Sequence, residues 1–94
     1  MREYELMMVI HPDLDETALS DLITRISGWI TEDAGEVVKT DVWGKRTLAY
    51  PIRKQNQGQY VLLHTKMAPT LGAKLERNLG YLEPVMRYII VAKE

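Results

Sequence analysis

The chain has 94 residues, 46% of them hydrophobic and 27% charged, with a formal net charge of −1. This length suits one domain with one core, and the predicted domain spans residues 1–94. The absence of cysteine excludes disulfides and thiolate metal sites. The longest apolar run, Leu6 to Ile10, is far shorter than a membrane helix, and the acidic start is unlike an export signal. A cytoplasmic protein with no membrane partner is expected.

The small net charge hides an uneven distribution along the chain. Residues 1–38 contain nine acidic and two basic side chains, whereas residues 39–66 contain six basic side chains and one acidic residue, Asp41. Residues 67–94 are nearly balanced. This asymmetry indicates a basic region that faces an anionic partner, although an ordinary solvated surface would explain it equally well.

A strand and a helix are predicted first. Residues 3–10 alternate with their even positions inward, which predicts a β-strand ending at His11-Pro12. Apolar residues then recur every three or four positions over residues 17–33, which predicts an amphipathic helix. Asp15 is its predicted N-cap, and Gly35 the predicted left-handed residue that ends it.

The middle of the chain predicts two long strands. In the first, over residues 37–52, Gly44 predicts a bulge or bend, and Pro51 predicts an edge strand or a strand end. Its later alternating residues are expected to face the core: Leu48, Tyr50 and Ile52. A polar turn is predicted over residues 53–58, followed by a strand over residues 59–67 whose odd positions, from Val61 to Met67, face inward because burying Lys66 would be costly.

A second helix and a last strand complete the predicted fold. Pro69 occupies the first turn of the helix, leucines 71, 75, 79 and 82 form its buried seam, and the strand covers residues 85–92. The order β-α-β-β-α-β predicts an α+β, ferredoxin-like fold. Right-handed crossovers would place both helices on one face of a four-stranded antiparallel sheet, with the first and third strands central. The other face is then left open.

No arrangement of side chains indicates catalysis. His11 and His64 lack the spaced partners of a metal site, and the carboxylates near Asp13 lack the ligand rhythm of a calcium loop. There is also no nucleophile elbow and no phosphate-binding glycine loop. We therefore expect no enzyme activity, no cofactor, no metal and no small-molecule substrate.

The open sheet face is the predicted interaction surface. Apolar side chains predominate on it, with Lys66, His64 and Arg87 among them. This mixture suits a protein partner that sits beside RNA, although packing of the sheet against its own copy is an alternative. The predicted partner-face residues are Met7, Val9, Tyr60, Leu62, Ile89 and Val91.

The run from Trp43 to Lys54, Trp-Gly-Lys-Arg-Thr-Leu-Ala-Tyr-Pro-Ile-Arg-Lys, resembles the signature of the bacterial small-subunit ribosomal protein six family. Further matching segments follow the family in order along nearly the whole chain: Arg2-Glu3-Tyr4-Glu5, His11-Pro12, Gly58 with Tyr60-Val61-Leu62, and Val85-Met86-Arg87-Tyr88. The resemblance agrees with the independently predicted order of elements.

The resemblance implies a structural role in the small ribosomal subunit. Such proteins form a heterodimer with small-subunit protein eighteen, and the pair binds the central domain of the small-subunit ribosomal RNA during assembly and translation. Basic positions of the family would make phosphate contacts with little base reading. On this chain they are Arg2, Lys45, Arg46, Arg53, Lys54 and Arg87.

Many members of the family continue past the last strand as a polar tail that helps hold the partner, whereas this chain stops at Glu94. The partner contact would then rest on the sheet face, or the tail would be dispensable. Three other functions compete with the ribosomal one. They are a stand-alone RNA-recognition domain that stacks bases on Tyr60, a small enzyme resembling an acylphosphatase, and a ligand-sensing dimer. The lack of a second aromatic at Leu62 argues against the first, and the acidic loop after the first strand against the second.

Overall fold

The structure, a computed structural model, describes residues 2–93 and has the predicted order of elements. The sheet order is β2-β3-β1-β4 with every neighbouring pair antiparallel, so the predicted central positions of the first and third strands are confirmed. The α+β, ferredoxin-like fold is therefore confirmed. The elements are β1 (Arg2–Ile10), α1 (Glu16–Glu32), β2 (Glu36–Ile52), β3 (Gln55–Met67), α2 (Pro69–Leu79) and β4 (Val85–Ala92).

The core lies between one sheet face and the two helices, and it contains the residues that alternation predicted. Leu6 of β1 pairs with Leu63 of β3 and with Ile90 of β4, and side chains on this face pack against both helices. Within residues 2–93, the largest side chains that are almost fully buried are Leu6, Met8, Ile10, Ile26, Ile30, Val61, Leu63, Thr65, Met67, Leu75 and Leu79. Their burial is the main favourable contribution to folding.

Helix α1 begins as predicted and ends differently. The Asp15 carboxylate accepts a hydrogen bond from the main-chain N–H of Ala18 at 2.8 Å, which confirms the N-cap. At the other end Ala34, with φ of 65°, is the left-handed residue, so the prediction for Gly35 was wrong. Gly35 donates its main-chain N–H to the carbonyl of Ile30, and a Cβ there would lie 2.7 Å from the Ile30 side chain. Close approach, and not left-handed geometry, requires this glycine.

The β2–β3 hairpin is longer than predicted. Its turn contains only Arg53 and Lys54, with φ of 49° and 64°, which is the geometry that matches the twist of a tight hairpin. The polar residues 55–58 belong to β3, so the predicted turn over residues 53–58 was too long. Gly44, with φ of 83°, does sit at a register shift, and Pro51 does lie on an edge strand.

Helix α2 begins at Pro69 after Ala68 as its N-cap, and its leucine seam is buried as predicted. The Lys74 ammonium joins the two helices through a 2.8 Å ion pair with Asp33. Within residues 2–93, neither helix has both the length and the apolar character needed to cross a membrane.

Candidate nucleic-acid interface and partner face

Residues 46–58 form a hairpin arm that extends beyond the end of β1. The last pairing of β1 with β3 joins Ile10 to Gln59, whereas β2 and β3 continue to pair from Arg46–Gly58 to Ile52–Gln55. At the base of the arm, the buried Gln59 amide donates to the carbonyls of His11 and Leu14 at 3.0 and 2.9 Å. The loop after β1 is thereby tied to the start of the arm.

Two arginine contacts hold the arm against β4, which lies on the far side of β1. The Arg53 guanidinium donates from Nη1 to the carbonyl of Glu83 at 2.6 Å and from Nη2 to that of Val85 at 3.3 Å. Arg87 of β4 donates from Nη1 to the Tyr50 hydroxyl at 2.9 Å, and its guanidinium carbon lies 5.6 Å from the centre of that ring. These contacts define the direction of the arm.

The arm and the residue before it carry basic side chains and no acidic side chain. Residues 45–58 contain four basic side chains and no acidic one. Lys45, Arg46 and Lys54 are exposed, and within residues 2–93 none of them takes part in an ion pair or a side-chain hydrogen bond. Three cations are thus free to neutralise an external anion, while Arg53 and Arg87 also serve the arm itself.

Arg2 does not join this group of cations. It pairs with Met67 at the opposite end of β1 from the arm, and a strand of nine residues at about 3.4 Å each separates the two ends widely. Its partner Met67 is a core residue, so Arg2 also lies on the helix-covered side of the sheet. The structure brings five of the six predicted RNA-binding residues to one end of the molecule and leaves Arg2 apart.

The residues of the predicted partner face are at least partly exposed, except Val9. Ile89 and Val91 are 58% and 47% exposed, and Met7, Tyr60 and Leu62 are partly exposed beside them. Val9 lies on the same face but is only 8% exposed. Its side chain occupies the space where a Cβ of Gly58 would stand, so the base of the arm covers it. Val9 is therefore unavailable to a partner.

Two aromatic residues of β2 were misjudged or missed from the sequence. Tyr50, predicted to face the core, is 57% exposed and contacts Arg87 instead. The register of β2 shifts between Thr47 and Ile52, which breaks the alternation behind that prediction, and Leu48 and Ile52 are only partly buried. Trp43, given no role, stacks on Tyr60 with ring centres 6.2 Å apart and planes 4° from parallel. The signal for this contact in the sequence was Gly44, which was predicted to form a bulge or bend and which pairs with Tyr60 next to Trp43.

The histidines are satisfied by neighbouring groups. His64 lies between two carboxylates on the open face, with Nε2 3.1 Å from Asp41 and Nδ1 3.4 Å from Glu5. His11 accepts a hydrogen bond at Nδ1 from the main-chain N–H of Asp13 at 3.1 Å. Among the residues that the structure describes, no group of three or more histidine or carboxylate side chains is arranged to hold a metal ion.

Comparison with known proteins identifies the family. The model of ribosomal protein S6 matches residues 3–92. Small ribosomal subunit protein bS6 of Caldanaerobacter subterraneus subsp. tengcongensis is 44% identical over 91 residues, 97% of this chain and 96% of the relative. The bS6 protein of Clostridium perfringens strain SM101 is also 44% identical, over 100% of this chain and 99% of the relative.

A solved structure agrees with these relatives. The 30S ribosomal protein S6 of Thermotoga maritima superposes with a TM-score of 0.91 at 27% identity, covering 98% of this chain and 87% of that protein. Members of this family are structural, non-enzymatic proteins of bacterial ribosomes, which are cytoplasmic particles. With a family match over nearly the whole chain, close relatives of the same length and the same fold, this chain belongs to the ribosomal protein S6 family and is a structural constituent of the small ribosomal subunit.

Proposed function

We propose that this chain binds the central domain of small-subunit ribosomal RNA as a heterodimer with small-subunit ribosomal protein eighteen, during assembly and translation. The observation that carries the RNA part is the stretch of residues 45–58, which has four basic side chains and no acidic one. Three of those cations have no partner within the described residues. Phosphate groups are the ligands that such an array recognises.

The proposed contacts divide into two groups. Lys45, Arg46 and Lys54 are free and would bind phosphates directly. Arg53 and Arg87 also face this end of the molecule, and a guanidinium has five N–H donors, so each retains donors beyond those bound to the protein. Arg2 lies too far from the arm to share the same stretch of backbone, and we assign it no part in this contact.

The protein partner would occupy the open sheet face next to the arm. Five predicted residues remain available there: Met7, Tyr60, Leu62, Ile89 and Val91. Exposed apolar surface of this kind on a small protein favours burial against another protein. Few phosphates can be neutralised by three free cations, so RNA affinity is expected to depend on cations that the partner supplies.

The first experiment is a salt-titrated gel shift on the central-domain RNA fragment, with and without protein eighteen. We expect tight binding only with both proteins. The double variant Arg46→Ala/Lys54→Ala should weaken binding and reduce the slope of log affinity against log salt by about 2. The matched control Arg77→Ala/Lys93→Ala removes the same charge from exposed side chains outside the arm that, within residues 2–93, have no ion-pair or side-chain hydrogen-bond partner, and it should leave the slope unchanged. Equal slopes for both double variants would contradict the assignment.

The partner face is tested separately. Ile89→Asp places a charge at a position that is 58% exposed and should not disturb the core. We expect it to abolish binding of protein eighteen in the absence of RNA, because burying an unpaired charge is costly. Lys93→Asp, a charge change just beyond the same strand, is the control. Normal partner binding by Ile89→Asp would show that this face is not the contact.

A further inference from the structure

Tyr50 and Tyr81 are largely exposed, at 57% and 80%, whereas Tyr4, Tyr60 and Tyr88 are all partly buried. Unlike Tyr50, Tyr81 takes part in no side-chain hydrogen bond within residues 2–93. Burying an aromatic side chain is favourable, and Tyr50 gains little of that stabilisation. Its exposure therefore calls for an explanation other than the core.

The ring is nevertheless held in a defined position. Its hydroxyl oxygen accepts the 2.9 Å hydrogen bond from Arg87, whose guanidinium lies against the ring, and the Arg53 contacts fix the strand turn next to it. A ring that is ordered before binding loses little conformational entropy when a ligand stacks on it. A ring that is both exposed and held in one position is well suited to stack on a ligand.

The chemistry around the ring indicates the occupant. Tyr50 lies between Arg46 and Lys54 in sequence, on an arm without acidic residues, and Arg87 adds a further cation. A polyanion bound along these cations would bring its bases close to the ring. Bases inside a duplex have their faces covered by neighbours, whereas unpaired bases stack readily on aromatic side chains.

We propose that Tyr50 stacks on an unpaired base of the RNA bound by the hairpin arm, so that the arm recognises a single-stranded or looped nucleotide as well as phosphates. This inference rests on the proposed RNA-binding function. Arg87 is then a positioning residue chiefly through its guanidinium against the ring face, a contact that phenylalanine at position 50 would keep.

The test measures binding of the central-domain RNA in the presence of protein eighteen. Tyr50→Leu should lower affinity about tenfold, the usual scale of one base–aromatic stack, with an unchanged salt slope because no charge is removed. Tyr50→Phe keeps the ring and should stay within about twofold of the wild type. Tyr81→Leu, at a tyrosine 80% exposed outside the arm, is the matched control and should have no effect.

Each alternative result has a distinct meaning. Wild-type affinity for Tyr50→Leu, while the wild type itself binds, would overturn the stacking role alone. Equal losses for Tyr50→Phe and Tyr50→Leu would overturn it too, because the hydroxyl contact with Arg87 would then be what matters. Loss of protein eighteen binding without RNA would reassign Tyr50 to the protein interface. No RNA binding by the wild type would overturn this inference together with the proposed function.

Ultraviolet crosslinking gives a direct readout of the same contact. Trypsin cleavage after Arg46 and Arg53 releases residues 47–53, in which Tyr50 is the sole aromatic. We expect a nucleotide mass adduct on this peptide after irradiation of the complex, and none after irradiation of the Tyr50→Leu complex. An adduct found on the Trp43 or Tyr81 peptides and absent from residues 47–53 would overturn the proposal.

Discussion

The sheet body and the hairpin arm share the strands β2 and β3 but are held in different ways. We define the sheet body as β1, β4 and the parts of β2 and β3 over residues 36–45 and 59–67. In the body, odd positions of β3 are buried under two helices. In the arm, the hydrogen bonds of Arg53 and the contact between Tyr50 and Arg87 take the place of core packing. The difference teaches that apolar burial secures the fold, while the arm can carry exposed cations and an exposed aromatic ring at little cost in stability.

The largest effect should come from a cavity in the sheet body. Leu63 is fully buried and pairs with Leu6 at the centre of the sheet. Leu63→Ala should lower the free energy of unfolding by about 2–5 kcal/mol, measured by urea denaturation. Val91→Ala, on the exposed face, should change it by no more than about 0.5 kcal/mol. Similar losses for the two variants would break the comparison.

A second prediction tests where the arm meets the body. A Cβ at Gly58 would overlap the buried Val9 side chain, whose branched shape leaves it little freedom to move. Gly58→Ala should therefore destabilise the protein by about 1–3 kcal/mol in thermal or urea unfolding.

Gly28→Ala is the control for this substitution, because nothing lies within 4 Å of the added methyl group. In a helix interior alanine is favoured over glycine, so this variant should gain up to about 1 kcal/mol. A stability loss for Gly58→Ala together with a gain for Gly28→Ala would show that the base of the arm is tightly packed. A gain in stability for Gly58→Ala would contradict that tight packing.

A third prediction separates local from global stability. Arg53→Ala removes two hydrogen bonds from an exposed side chain to main-chain carbonyls. The global free energy of unfolding should fall by only about 1 kcal/mol. Native-state hydrogen exchange should quicken more in residues 46–58 than at Leu63, where exchange should rise only in step with the small global loss. An equal increase at both places would mean that the arm and the body form one cooperative unit.

The smallest stability effect is expected at Arg46. Its side chain is exposed and has no ion-pair or side-chain hydrogen-bond partner within residues 2–93. Arg46→Ala should shift the free energy of unfolding by less than about 0.5 kcal/mol in urea denaturation, while RNA affinity falls. A stability loss above about 1 kcal/mol would show that Arg46 serves the fold.

Sequence patterns predicted the body well and the arm poorly. Alternation identified Leu6, Leu63 and Ile90, because residues two apart on a strand face the same side and that side has helices above it. The same rule failed at Tyr50. Alternation assigns faces only where the register is regular, and β2 shifts its register between Thr47 and Ile52, which the sequence did not reveal.

The candidate site shows the same division. Charge along the chain located Lys45, Arg46 and Lys54, each of which is exposed and has no ion-pair or side-chain hydrogen-bond partner within residues 2–93. It could not reveal that Arg53 and Arg87 form hydrogen bonds inside the protein, or that Gly58 covers Val9. These contacts join the arm to residues that are distant from it in sequence.

The sequence by itself determined the order of elements, the core face of each central strand and the family resemblance, because local periodicity and motifs carry that information. Only the tertiary structure decided the path of the hairpin arm, the separation of Arg2 from the other cations and the exposure of Tyr50. The physical reason is that such features depend on which distant groups meet. A guanidinium that reaches carbonyls some 30 positions away leaves no periodic trace in the chain.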